Sequence, residues 1–426
     1  MVYVINKNNR PLMPIRRHGK VRRLLKSGKA KVIRKEPFTI KLLFDTGSNV
    51  SNLTLGIDTG SATIGTAVVD KKQVVYYTSE VQIRNDITTK MERRAIYRRA
   101  RRTRKLRYRK ARFDNRANSK RTDRFSPTMT SKINSHCREI DFVKSILPIA
   151  TLVIEAGKFD VTLLNHKDEA FNRHWGYQRG PAYGFKNNHE AVLSRDNYTC
   201  QCCRTKKGTM NTHHILPKSQ GGSDEMENLI TLCESCHSKL HKGELKDFEA
   251  RLKGKRKGTL KYATQMNSIR KQVFRRYPEA FETYGFVTKA NRELSDLPKE
   301  HWADAVTIAI GGVPSDVKVG CYMYRKRHIA AGEYQRSQGQ RSEKEMPKGK
   351  LFGFNLYDKV EYFGTLAFIG GRQSKGYFGL VDIDGEYVSF ENLGRGLKTP
   401  KYDKIRLLSR RKTTLCIRKR ITLKKL

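Results

Sequence analysis

The chain has 426 residues, a length that suits two to three domains, and only 37% of them are hydrophobic. Lys and Arg number 87 against 41 Asp and Glu, a formal net charge of +46. Such a chain repels itself unless a polyanion is present, and nucleic-acid phosphates fill that role by releasing counterions. No apolar run approaches the roughly 20 residues of a spanning helix. The start, Met1-Val2-Tyr3-Val4-Ile5-Asn6-Lys7, turns polar at once and shows no secretory pattern. The expectation is a soluble, cytoplasmic protein, without a membrane partner, that joins the nucleoid when on DNA.

In chain order, residues 1–50 form a small basic module: a strand at Val2–Ile5, a rigid turn at Pro11-Leu12-Met13-Pro14, a short helix over 21–27 ended by Gly28, and a strand over 38–44. Residues 51–83 hold apolar strands at 53–57, 64–69 and 74–77, the first ending at Asp58. Residues 84–124 are arginine-rich. Residues 125–170 carry an amphipathic helix over 132–146 and a buried-type strand over 151–154 that ends at Glu155. Residues 171–190 read as a linker and 191–246 as a Cys/His unit. Residues 247–315 carry helical patterning over 260–276 and a helix at His301–Ile310 closed by Gly311-Gly312. Residues 316–426 form a β-rich region: a polar linker at 330–350, strands at 360–369 and 377–383, an Asp384-Gly385 hairpin turn and a strand at 387–390.

Two constellations carry chemistry. An acid at the end of a buried strand is costly without a partner, and Asp58 and Glu155 both stand at such ends. His301 and Asp304, three apart on a helix, share one face. Three carboxylates and a His can hold two Mg²⁺ ions about 3.5–4 Å apart, the clamp used in phosphodiester cleavage. His301 ligates metal or activates water. The order of these residues, with Leu55-Gly56-Ile57-Asp58-Thr59-Gly60, Val153-Ile154-Glu155 and His301-Trp302-Ala303-Asp304-Ala305, resembles the RuvC-type branch of the RNase H-like fold.

The second constellation is Cys200-x-x-Cys203 and Cys233-x-x-Cys236. Paired spacing of this kind makes a closed, structural Zn²⁺ site, with Cys202 left as a spare. Between the knuckles stand His213 and His214, then Asn228, with His237 just beyond. One neutral His can deprotonate water while another holds Mg²⁺ against a phosphate; histidines that serve as zinc ligands themselves are the second reading. The segment resembles the HNH, or ββα-metal, nucleases. That resemblance implies His214 as general base, His213 and His237 as ligands of one Mg²⁺, and Asn228 as the residue that orients the loop. His241 reads as a solvated helix histidine.

Arg93, Arg94, Arg98, Arg99, Arg101, Arg102, Arg104, Arg107 and Arg109 crowd a helix-compatible run without acidic partners. Phosphates on several sides would stabilise it, and Arg suits bidentate phosphate contact. Arg325 and Arg327, in Tyr324-Arg325-Lys326-Arg327-His328, are further nucleic-acid candidates; a solvated basic loop is the plain alternative.

Taken together, the layout resembles the IscB family of transposon-encoded, RNA-guided nucleases. Pro11-Leu12-Met13-Pro14 and Trp175-Gly176-Tyr177-Gln178-Arg179-Gly180-Pro181 add to the resemblance. It implies an α/β protein whose RNase H-like (RuvC) fold is split by an arginine-rich bridge helix and an inserted HNH domain. It also implies a long structured guide RNA, a double-stranded DNA target and a monomeric ribonucleoprotein. The HNH site would cut the guide-paired strand and the RuvC-like site the displaced strand. An unguided, resolvase-like nuclease and a non-enzymatic zinc-containing RNA-binding protein are the rival readings.

Overall fold

The computed structural model describes residues 1–47, 49–103, 125–155, 157, 184–253, 261–312, 317, 322–332, 349–390 and 399–421. The chain divides into two compact units, residues 158–268 and the remainder. Among the described residues the elements form several sheets with flanking helices, a mixed α/β architecture.

The larger unit opens with β1 (Val2–Ile5), β2 (Pro11–Ile15), α1 (His18–Lys26), β3 (Ala30–Arg34) and β4 (Thr39–Leu42). Their sheet has the order β2-β1-β4-β3. Pro11-Leu12-Met13-Pro14 is therefore a strand and not a turn. Two prolines are tolerated because β2 lies at the sheet edge, where missing N–H donors cost no ladder bond. The turn comes earlier, where the Asn6 side chain accepts from the Asn8 and Arg10 N–H groups. Strand β3 escapes the pattern rule because its middle residues are all exposed.

The main sheet contains β5 (Leu53–Asp58), β6 (Thr63–Asp70) and β7 (Val75–Gln82), an antiparallel meander whose apolar residues bury both faces. Helix α2 (Ile87–Thr103) follows, then α3 (Pro127–Lys144), capped by the Ser126 side chain. Next comes β8 (Ile149–Glu155), parallel to β5. The inserted unit contributes α4 (Asn188–Arg195), β9 (Met210–His214), β10 (Leu229–Cys233), α5 (Glu234–His241) and α6 (Lys246–Lys253). It has a core of its own, including Cys200, Ile230, Leu232, Phe248 and Leu252. Asn187 caps α4, so helix begins where a linker is expected; 171–183 lies outside the described residues.

After α7 (Lys261–Arg276) the chain adds β11 (Phe281–Thr283), parallel to β8, then α8 (Gly285–Leu294), α9 (His301–Ile310) and β12 (Tyr322–His328). The basic segment 324–328 is thus a strand of the main sheet, parallel to β7, and not a solvated loop. Lys326 is buried because Glu139 of α3 meets its Nζ at 2.7 and 2.9 Å. Thr66 faces Glu139 while its neighbour Ala67 joins the core under α9. Strand alternation therefore puts α3 and α9 on opposite faces of the sheet.

A separate sheet follows, of β13 (Lys359–Tyr362), β14 (Thr365–Arg372), β15 (Phe378–Val381) and β16 (Arg406–Ser409). The expected strand over 360–369 is broken into a hairpin at Phe363-Gly364, both at positive φ. Residues 387–390 do not form a strand; they reach β15 through the Val381–Tyr387 bridge and the Val388-to-Leu380 hydrogen bond. Last, β17 (Thr414–Arg420) pairs with β12, so the C-terminal region contributes two strands to the main sheet.

Candidate metal centres

Backbone pairing across the main sheet aligns Thr283, Glu155, Asp58, Gly65, Glu80 and Arg325 in one row. Asp58 and Glu155 sit at the carboxyl ends of parallel strands, the edge where open α/β sheets bind ligands. Helix α9 brings the other two candidates. A Cβ on Gly56 would stand 2.3 Å from the Ala305 carbonyl oxygen, and one on Gly65 2.0 Å from that of His301. Glycine at both positions lets α9 lie directly on β5 and β6. His301 Nδ1 then meets Asp58 Oδ2 at 2.6 Å.

The electrostatics of this cluster record crowded negative charge. Burial pushes the Glu155 carboxyl up to about 7, with help from the charges of Asp58 and Asp304 and against a hydrogen bond from Thr288. Its Oε2 is buried without a partner. Asp304 is also raised, first by burial and then by Asp58, while Arg292 opposes. The hydrogen bond to Asp58 raises His301. An orphaned carboxylate oxygen among three hard-oxygen donors fits a divalent cation such as Mg²⁺.

Arg292 has no sequence signal. Its Nε lies 2.8 Å from Asp304 Oδ1, and its side chain is buried. Thr288 and Arg292, four apart on α8, are the buried residues of that helix. Their partners, Glu155 and Asp304, lie on other elements, so helix spacing alone cannot name them.

In the inserted unit the Sγ atoms of Cys200, Cys203, Cys233 and Cys236 all lie within 4.8 Å of one another. Cys203 and Cys233 are 3.7 Å apart. A tetrahedral Zn²⁺ with Zn–S bonds of about 2.3 Å needs sulfur pairs about 3.8 Å apart, so the set fits zinc. Burial pushes the Cys200 thiol up, but backbone hydrogen bonds from Cys203, Cys233 and Cys202 outweigh it and bring the group to about 7. Cys202 stands outside the cluster and packs against the core.

A second cluster joins His213 of β9 to His237 and His241 of α5, again with ligand atoms within 4.8 Å. His237 Nε2 and His241 Nε2 are 3.3 Å apart. Metal–nitrogen bonds of about 2.0–2.1 Å in a tetrahedron require nearly that separation. His241, exposed on its helix as expected of a solvated histidine, is also a third member of the cluster; its i, i+4 spacing from His237 was the available clue. Three imidazoles suit a divalent transition metal, whereas Mg²⁺ demands oxygen. The expectation of Mg²⁺ at this site does not match the donor set. Burial, and then repulsion from His237, His241 and His214, lowers His213 to about 4. Burial and then His241 lower His237. Both rings are neutral at pH 7, with lone pairs available.

His214, next along β9, holds Asp224 Oδ1 at 2.8 Å through Nε2. Asp224 also pairs with Lys218. Asn228 is fully buried. It accepts from the Leu216 N–H and donates to the Leu216 and Ser223 carbonyls. It is thus a positioning residue that pins the loop after His214, and Asp224 is an orienting partner that sequence reading passes over.

Of the nucleic-acid candidates, Arg93, Arg94, Arg98 and Arg99 lie exposed on α2. Arg101 and Arg102 lie on the same helix; Arg104, Arg107 and Arg109 fall outside the described residues. Arg325 and Arg327 are engaged internally, Arg325 by Asp384 at 2.7 Å and Arg327 by the Ile383 carbonyl. No helix of the described residues is long and apolar enough to cross a membrane.

A ββα unit with a zinc knuckle, a histidine metal cluster and a carboxylate-held histidine has the parts of a metal-dependent phosphodiesterase. Residues 200–243 match the HNH endonuclease family, and residues 2–180, which include Arg98-Arg99-Ala100-Arg101-Arg102, match the family described as RRXRR protein. The chain is 42% identical over 64 residues to Anaredoxin of Nostoc sp. (strain PCC 7120 / SAG 25.82 / UTEX 2576), covering 15% of this chain and 84% of that protein. It is 44% identical over 32 residues to the type IV methyl-directed restriction enzyme EcoKMcrA of Escherichia coli (strain K12), covering 8% of this chain and 12% of that enzyme. Among solved structures, the type II-C Cas9 enzyme from Actinomyces naeslundii aligns over 43% of this chain and 27% of its own, at 18% identity and a TM-score of 0.16. The inserted unit therefore carries an HNH endonuclease domain, which makes the chain a nuclease by its matched domain.

Proposed function

We propose that this protein is an RNA-guided endonuclease that cuts both strands of a DNA duplex, each at its own centre. The observation that carries the reading is a histidine cluster at metal-ligand spacing in one compact unit, around His213, and in the other a set of buried acids, Asp58, Glu155 and Asp304, near enough to raise one another's proton affinity. The first belongs to an RNase H-like (RuvC) sheet that gathers its acids at one edge. The exposed arginines of α2 and the net charge of +46 support a bound RNA that reads the target by base pairing.

At the HNH site, His214 takes the proton of the attacking water, with Asp224 orienting its ring. His213, His237 and His241 hold the metal, which when bound polarises the scissile phosphate. This site cuts the guide-paired strand. At the sheet edge, Asp58, Glu155 and Asp304 would hold Mg²⁺, and His301 is placed to exchange a proton beside Asp58. This site cuts the displaced strand.

The test is to purify the protein from its native host, sequence the RNA that it retains, and supply a duplex matching any variable segment of that RNA. Strand-specific cuts that depend on the match support the reading. Heterogeneous RNA that high salt removes, with cutting that ignores the match, favours an unguided nuclease.

A further inference from the structure

We infer that Tyr284 and Phe286 form a stacking platform for a base of the single DNA strand entering the carboxylate centre, an inference that rests on the function proposed above. Phe286 is 74% exposed and Tyr284 44%. Their rings are nevertheless stacked on each other, with centroids 5.9 Å apart and planes 10° from parallel. Large apolar rings held in parallel in water present a flat face to a flat ligand.

The position of the rings points to the ligand. Thr283 pairs with Glu155 across β11 and β8, so Tyr284 is the first residue beyond the row of acids. Gly285, between the rings, runs so close to the site that a Cβ there would stand 3.0 Å from Glu155 Oε1. The Tyr284 carbonyl accepts from the Val287 and Thr288 N–H groups at the start of α8, which fixes the backbone of the platform. The platform therefore borders the carboxylate whose Oε2 lacks a partner. A strand that delivers a phosphate to that oxygen's cation carries its unpaired bases past the two rings. Stacking on aromatic rings tolerates any base, which suits an enzyme whose displaced strand changes with each target. A paired duplex offers no free base face to the same rings.

The test uses the full-length protein and a short single-stranded oligodeoxynucleotide with 2-aminopurine placed at successive positions. Wild type should quench fluorescence at one position. Phe286→Ala and Tyr284→Ala should each lose the quench and bind the strand about tenfold more weakly, and Phe286→Tyr should retain both. Unchanged quench and affinity in the two alanine variants would overturn the platform, as would tighter binding there of an RNA of the same sequence. The same preparations, with the RNA that they retain and a duplex matching it, are assayed for Mg²⁺-dependent cutting. If wild type cuts and the alanine variants bind normally, the platform alone falls. If Phe286-dependent quenching occurs without any cutting, the platform stands and the endonuclease reading falls.

Discussion

His301 Nδ1 lies 2.6 Å from Asp58 Oδ2, although 243 residues separate the two in the chain. This bond ties the first strand of the main sheet to the first turn of α9 and fixes the geometry of the carboxylate centre. Asp58→Asn should slow cutting of the displaced strand roughly 100-fold or more, since even an outer partner of a metal ligand contributes up to that factor. Cutting of the paired strand should persist. A duplex labelled differently on each strand reports both rates; equal loss on both strands would argue against independent centres.

The pH dependence of stability follows from Glu155 and His301. Glu155 moves from 4.5 to about 7 on folding, so the native state holds an extra proton between those values. Stability of the metal-free protein should therefore fall as pH rises from about 4.5 to about 7. His301, also raised, contributes with the same sign: its stabilisation is lost as pH rises through its folded value. Thermal unfolding across this range measures the effect. Glu155→Gln should flatten the slope, and Mg²⁺, by displacing the proton, should reduce it.

Arg292 is the buried counter-charge of Asp304. Arg292→Met leaves that carboxylate unpaired and should cost about 3 kcal/mol of stability, seen as a lower denaturant midpoint. The double variant Arg292→Met with Asp304→Asn should recover part of the loss. No recovery would mean that the two residues are not coupled.

Zinc bound by Cys200, Cys203, Cys233 and Cys236 should hold the inserted unit together. Cys203→Ser should lower zinc content and remove the unfolding transition of residues 158–268. The transition of the larger unit should remain, because that unit has its own cores. Calorimetry with elemental analysis decides the point.

At the HNH centre, His241→Ala should weaken divalent transition-metal binding about 10- to 100-fold, on the scale of losing a metal-supporting contact. His214→Ala should leave metal binding intact and slow paired-strand cutting by roughly 10²–10⁴-fold. Titration with Mn²⁺ or Ni²⁺, read beside cutting rates, separates the two roles.

The sequence by itself made much of this protein legible. Its charge pointed to nucleic acid, the Cys-x-x-Cys pairs to a metal knuckle, and the apolar runs ending at Asp58 and Glu155 to strands with acids at their tips. Such features are local: they rest on spacing along the chain or on periodicity within one element. His241 was legible in principle, four residues after His237, yet only the approach of β9 to α5 distinguishes a ligand from a solvated histidine. Arg292, Thr288 and Asp224 were not legible, because each acts on a partner carried by another element or across a loop. The same holds for Tyr284 and Phe286, whose rings acquire a meaning only from the pairing of Thr283 with Glu155. Pro11 and Pro14 read as a turn until the sheet order put β2 at an edge. What the tertiary structure decided, in each case, is which remote groups share one small volume. Coulombic coupling, ligand geometry and burial depend on that distance and not on separation along the chain.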